Sequence, residues 1–148
     1  MKKFLLILIL GFSFSLAGQT NVSGFITANT TWTVANSPYT VIDSLSVLAG
    51  ITLTIDPGVE VRINANKSIK ILGKLNSIGS LNDSIIFKDS NPNTPFASIQ
   101  FLDSSEDVVF DSVTGNYQDG NIMKYVKVMG GGSAFGSSGF GSVVFYSS

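Results

Sequence analysis

The chain contains no cysteine and no histidine. Without cysteine there is no disulfide to staple the fold, so its stability must come from packing. The same absence removes the lipobox thiol on which a bacterial lipoprotein anchor is built. Without histidine, no side chain has an unperturbed pKa near neutrality, which withdraws the commonest general base. Basic residues are not in excess: 9 Lys and Arg face 10 Asp and Glu, for a net charge of −1. That balance offers no basic face to a phosphate backbone, so nucleic acid is not an expected partner. Helical periodicity is missing too: past the first residues, short runs alternate apolar and polar positions, broken by Gly, Asn, Asp and Pro.

What is present begins with a leader. Lys2 and Lys3 precede an apolar run from Phe4 to Phe12, and Ser15-Leu16-Ala17 supplies small residues before Gly18. This is the pattern of a secretory signal peptide over residues 1–18, cut after Ala17 or Gly18. The run is shorter than the ~20 residues that cross a bilayer core, so no membrane span is expected in the mature chain. Cleavage takes two of the 9 basic side chains and leaves 7 against 10 acidic ones, a net charge near −3. The expected location is outside a bacterial cell, secreted or at the cell surface.

The region from Ser44 to Phe87 sets the fold class. Ser44-Leu45-Ser46-Val47 ends at Gly50, and Ser68-Ile69-Lys70-Ile71 ends at Gly73. Between them lie Ile51 to Asp56 and Val59 to Asn64, separated by the turn Asp56-Pro57-Gly58, where Pro57 pre-sets φ and Gly58 accepts a positive φ. Strands that repeat every twenty-odd residues without intervening helices predict a coil wound around one long core. Further strands are expected at 22–26, 31–34, 39–42, 45–48, 85–88, 97–101, 108–110, 123–128 and 143–146. Period-2 alternation puts Ile51, Leu53 and Ile55 inside, then Val59, Val61 and Ile63, then Ile69 and Ile71, Ile85 and Phe87, Ile99 and Phe101. Alternation through Met123 to Val128 would bury Lys124 or Lys127, so a bend or bulge is expected in that run. An antiparallel sandwich is the competing fold, but it wants tight Asn-Gly or Asp-Gly hairpins, and Asp119-Gly120 is a single candidate.

With these residues in view, Gly50-Ile51-Thr52-Leu53-Thr54-Ile55-Asp56-Pro57-Gly58-Val59-Glu60-Val61 resembles the amino-terminal part of secreted right-handed parallel β-helix proteins of the pectate-lyase-like superfamily, especially the β-helix-repeat proteins of Bacteroidetes-type bacteria. Val22 to Ile26 with Thr31-Trp32 resembles their opening cap. Ile69 to Leu75, Ile85 to Phe87, Phe96 to Phe101 and Lys124 to Val128 resemble successive coils. The resemblance covers Val22 to Gly131 and implies a fold, all-β and a right-handed parallel β-helix or solenoid, rather than an activity. It implies a cap and first strands over 19–43 and coils over 44–148, with a glycine-rich loop at 130–142. Family members are longer and capped, so truncation at the C-terminus is expected.

Candidate sites are few. Trp32, the lone tryptophan, reads as a cap over the core or as a sugar-stacking platform. Asp103, Glu106, Asp107 and Asp111 form the densest acidic cluster and are weak calcium candidates; their spacing matches no D-x-[DN]-x-[DN]-G loop. Arg62, the lone arginine, stands two residues from Glu60 on one outward face and suits a surface ion pair. The stretch from Gly130 to Gly141 lacks the Gly-Lys-Ser/Thr of a phosphate loop. No catalytic, cofactor-binding or metal residue is assigned, and no cofactor is expected beyond that calcium. The expected function is an exported scaffold, structural or adhesin-type, whose partners are extracellular polysaccharide or cell-surface components. The alternative is a fragment of a polysaccharide lyase or glycoside hydrolase whose catalytic coils are absent.

Overall fold

A computed structural model describes residues 18–132 and 143–145. Residues 1–17, which hold all but the last position of the expected signal peptide at 1–18, residues 133–142 of the glycine-rich stretch and residues 146–148 lie outside the described residues. The strands are β1 (Thr20–Ile26), β2 (Thr30–Trp32), β3 (Tyr39–Val47), β4 (Thr52–Ile55), β5 (Glu60–Ile63), β6 (Ser68–Ile71) and β7 (Lys74–Ile78). They continue with β8 (Ile85–Asp89), β9 (Ser98–Phe101), β10 (Val109–Phe110), β11 (Tyr117–Asp119), β12 (Ile122–Lys124), β13 (Val126–Met129) and β14 (Val143–Phe145). Among the described residues the helical element is one 3-10 turn, Val34–Asn36. The protein is all-β, and its strands pair in parallel except for the small β10–β11 hairpin and one isolated bridge between Asn91 and Thr94.

Register sorts the parallel strands into three columns. The first holds the leading halves of β1 and β3, then β5, β8 and β13. The second holds the trailing halves of β1 and β3, then β6, β9 and β14. The third holds β2, β4, β7 and β12. The chain visits the columns in one order and returns to the first. Side-chain bonds span single returns: Ser37 Oγ accepts from Glu60 N, 23 residues on, and Ser44 Oγ from Ser68 N, 24 residues on.

This pairing places like residues on like. Tyr39, Val61, Phe87 and Val128 align in the first column, and Leu45, Ile69, Ile99 and Val143 in the second. Leu53 aligns with Leu75 in the third. Leu53, Val59, Val61, Ile63, Ile71, Ile85 and Ile99 are fully buried, as alternation requires; Ile51 is partly buried against them. Burying one such side chain contributes about 1.5–3 kcal/mol relative to leaving it in water, so the ladders dominate stability. β-branched residues suit these positions because they pack on a pleated surface. Two polar residues interrupt the ladders. Ser77 lies between Ile55 and Met123 with its hydroxyl buried and without a protein partner. Asp89, aligned with Ile63, accepts from the backbone N–H of Phe96 (2.8 Å) and of Gly131 (3.2 Å).

Several local expectations are refined. Residues 39–42 and 45–48 are one continuous strand, β3, because its two halves serve two columns. The run from Met123 to Val128 does break: Tyr125 takes φ 53° and separates β12 from β13, leaving both Lys124 and Lys127 exposed. Gly58 has φ +79°, and Val59 N bonds back to Asp56 O, closing the expected turn. At Gly73 a Cβ would strike the carbonyl oxygens of Leu48 and Ile51, so the joint between the second and third columns has room for glycine only.

Candidate functional site

The outward face of the third column is polar where its inward face is aliphatic. Thr31, Thr54 and Asn76 align in register there, and Thr52 aligns with Lys74. Asn29 sits beside them and accepts from Thr52 N through its Oδ1 (2.9 Å). A strand presents alternate residues to opposite faces, so the same segments that fill the core build this surface.

The segment between β9 and β12 walls the face. It leaves the stack after Phe101, forms the β10–β11 hairpin and returns at Asn121. Asn121 clamps the return: its Oδ1 accepts from Leu75 N (2.7 Å) and its Nδ2 donates to Glu106 O (2.6 Å). Glu106 N in turn donates to Gly73 O (3.0 Å). The hydroxyl of Tyr117 donates to Gly120 O (2.7 Å), fixing the ring at the end of the hairpin. Between hairpin and sheet lies a groove of about 360 Å³, bounded by the polar face on one side and by Tyr117 and Asp119 on the other.

Lys74 is the electrostatic centre of this groove. Its Nζ lies 2.8 Å from Asp119 Oδ1 and 3.0 Å from Glu106 Oε2. Hydrogen bonds to Asp119 and Glu106 raise the Lys74 pKa above its ordinary value. The bond from Lys74, with a second from Gly120 N–H, lowers that of Asp119. Burial, then the nearby Asp119 charge, raises Tyr117. Asp119, Lys74 and Tyr117 are therefore all held further from neutral pH than usual, which is the opposite of what proton transfer at pH 7 asks of a general acid or base.

The acidic residues singled out by sequence disperse. Glu106 turns to Lys74. Asp111 closes its own turn, accepting from Thr114 N (2.6 Å), Thr114 Oγ1 (2.8 Å) and Val113 N (3.0 Å), and the Thr114 bonds, followed by that from Val113, hold its pKa low. Asp103 and Asp107 are exposed. Among the described residues no three Asp or Glu side chains are grouped so as to hold a metal ion. No helix of the described residues is long and apolar enough to cross a membrane.

Arg62 does pair with Glu60 (2.6 Å), and Lys88 joins them (2.9 Å), beside a second groove of about 410 Å³ that also touches Pro92 and Met129. Burial pushes the Glu60 pKa up, but hydrogen bonds from Lys88 and Arg62 outweigh it and leave the group below its ordinary value. A carboxylate with a depressed folded pKa stabilises above its unfolded pKa, near 4.5 here, and that contribution is lost as pH falls through the folded value. Half-exposed pairs contribute about 0.2–1 kcal/mol each. The expected result is that wild type melts above Glu60→Gln at about pH 6 and that the gap narrows as pH falls below the unfolded value and through the lower folded one, read from thermal unfolding by circular dichroism.

Trp32 is not available as a platform. It is 3% exposed and stacks on Tyr39 with centroids 4.6 Å apart at 10°. Sequence reasoning passed over Lys74, Asn76, Tyr117, Asp119 and Asn121. The doublet Asp119-Gly120, weighed only as a hairpin turn, was the one local signal near them.

No family model matches this chain, and no solved structure matches it. A 72-residue stretch, 49% of the chain, is 36% identical to Protein bark beetle of Drosophila melanogaster, and it spans 2% of that protein's length.

Proposed function

We propose that this chain is an exported right-handed parallel β-helix, related to the pectate-lyase-like superfamily, that serves a bacterium as a secreted or cell-surface scaffold of structural or adhesin type. The three columns visited in constant order, with aliphatic residues aligned in register, carry this reading: each turn buries its apolar face only against its neighbours, as in a solenoid. The leader pattern at residues 1–18 supports export. The scaffold reading, as against a polysaccharide lyase or hydrolase, is favoured by the groove's ionisable groups. A hydrolase needs two carboxyls facing one glycosidic bond, one of them protonated at working pH. Here one carboxylate, Asp119, lines the groove, and it shares Lys74 with Glu106. Fold alone would not decide between the two, because function resides in the site.

The test is expression of residues 1–148 in a bacterium, followed by fractionation, mass measurement and incubation with polygalacturonate and neutral polysaccharides. The expected product is found outside the cytoplasm, shortened at Ala17 or Gly18, and releases no sugar fragments. A full-length cytoplasmic product would overturn export, and released fragments would overturn the scaffold.

A further inference from the structure

We propose that the groove between the third column and the β10–β11 hairpin binds an uncharged saccharide chain, in preference to a uronate. The inference rests on the adhesin reading above and gives it a ligand class. Its volume of about 360 Å³ lies within the range of about 300–1,000 Å³ common to small-molecule sites. Three features of the lining select the chemistry.

The floor is built of groups that both donate and accept. Thr31, Thr54 and Asn76 follow one another along a single register line, spaced by the ~4.8 Å between strands. Hydroxyls and carboxamides match a ligand that presents hydroxyls, which also donate and accept. Asn76 Oδ1 is buried and has no protein partner. A polar atom that gives up water on folding without replacing it calls for an explanation. The terminal torsion of Asn is broad, so the carboxamide can turn that oxygen toward a ligand hydroxyl.

The end wall is an aromatic ring. Tyr117 spends its hydroxyl on Gly120 O, so the ring is oriented before any ligand arrives. Little ordering entropy is then lost when the apolar face of a sugar ring packs on it.

Charge excludes uronates. Lys74 is shared by Asp119, which lines the groove, and Glu106, which pairs with the same ammonium from outside the lining, so the three together carry a net charge of about −1 when ionised. An incoming uronate would have to compete with both for the same lysine. A neutral hydroxyl meets no such repulsion and finds carboxylate oxygens as acceptors.

Calorimetric titration of the exported chain with cellotetraose, xylotetraose, mannotetraose and tetragalacturonate tests this. At least one neutral tetrasaccharide is expected to bind, at least about tenfold more tightly than tetragalacturonate. Tyr117→Ala and Asn76→Ala are each expected to weaken it about tenfold. Thr54→Val keeps shape and fold while removing one hydroxyl, and should weaken it severalfold. Lys70→Ala, on the exposed second column, should leave it unchanged. Failure of every neutral probe to bind, tighter binding of tetragalacturonate, or indifference to Tyr117→Ala, Asn76→Ala and Thr54→Val together would overturn the proposal while leaving the scaffold reading intact. Fragment release during the titration would instead overturn the scaffold reading and leave the groove.

Discussion

Phe87→Ala is expected to cost about 3–5 kcal/mol, among the largest losses for a single substitution in this chain. Phe87 is 1% exposed and lies in register between Val61, which is fully buried, and Val128. Removing the ring forfeits its transfer energy and leaves a cavity that cannot collapse, because the backbones above and below are held by ladder hydrogen bonds on both sides. At about 2–8 °C per kcal/mol, thermal melting should fall by some tens of degrees at most, and the midpoint of urea unfolding should fall with it. Leu81→Ala is the matched control: Leu81 is 83% exposed, and its loss should stay within about 0.5 kcal/mol. Equal effects at the two positions would contradict the stack.

Trp32→Ala should follow closely, at about 3–5 kcal/mol. The indole closes the aliphatic ladder of the third column, aligned with Ile55, and covers Tyr39. A stacked aromatic pair adds about 0.5–1.5 kcal/mol beyond area burial. The Tyr39 hydroxyl also accepts from Thr33 N (3.0 Å), so the pair ties the start of the stack to the turn that follows β2. Trp32→Phe should recover a large part of the loss. Because this is the chain's one tryptophan, wild-type fluorescence should be blue-shifted and resist acrylamide quenching. Ready quenching, or a shift on adding saccharide to wild type, would restore the platform role that burial denies it.

How much of this was legible in sequence divides along the two faces of the strands. The inward face was readable because one rule, period-2 alternation, acts on every strand. Val59, Val61 and Ile63, and Ile69 with Ile71, follow from it directly. The break near Tyr125 was readable for the same reason, since continuing the alternation would have buried a lysine. β7 and β11 escaped the expected strands: β7 carries Ser77 at an inward position where the pattern wants an apolar residue, and β11 is three residues of an insertion. The groove was not legible. Its defining contacts join Lys74 to Asp119 across 45 residues and Leu75 to Asn121 across 46, and no local pattern encodes them. Proximity along the chain, conversely, does not report which groups pair. Asp103, Glu106, Asp107 and Asp111 are close in sequence, yet Glu106 answers a lysine on another strand and Asp111 answers its own turn.

The segment from Leu102 to Asn121 is looped out between two neighbouring rungs, and Ile122 nevertheless lands opposite Asn76 as though nothing had been inserted. The architecture thus has a splice site: strand alignment is set by the rungs, while the length of the excursion is free. Chain statistics make this inexpensive, since doubling a flexible loop costs only about 0.6 kcal/mol in closure entropy. Lineages can therefore rewrite, lengthen or exchange that excursion, and with it whatever the protein touches, without renegotiating the spine that holds it.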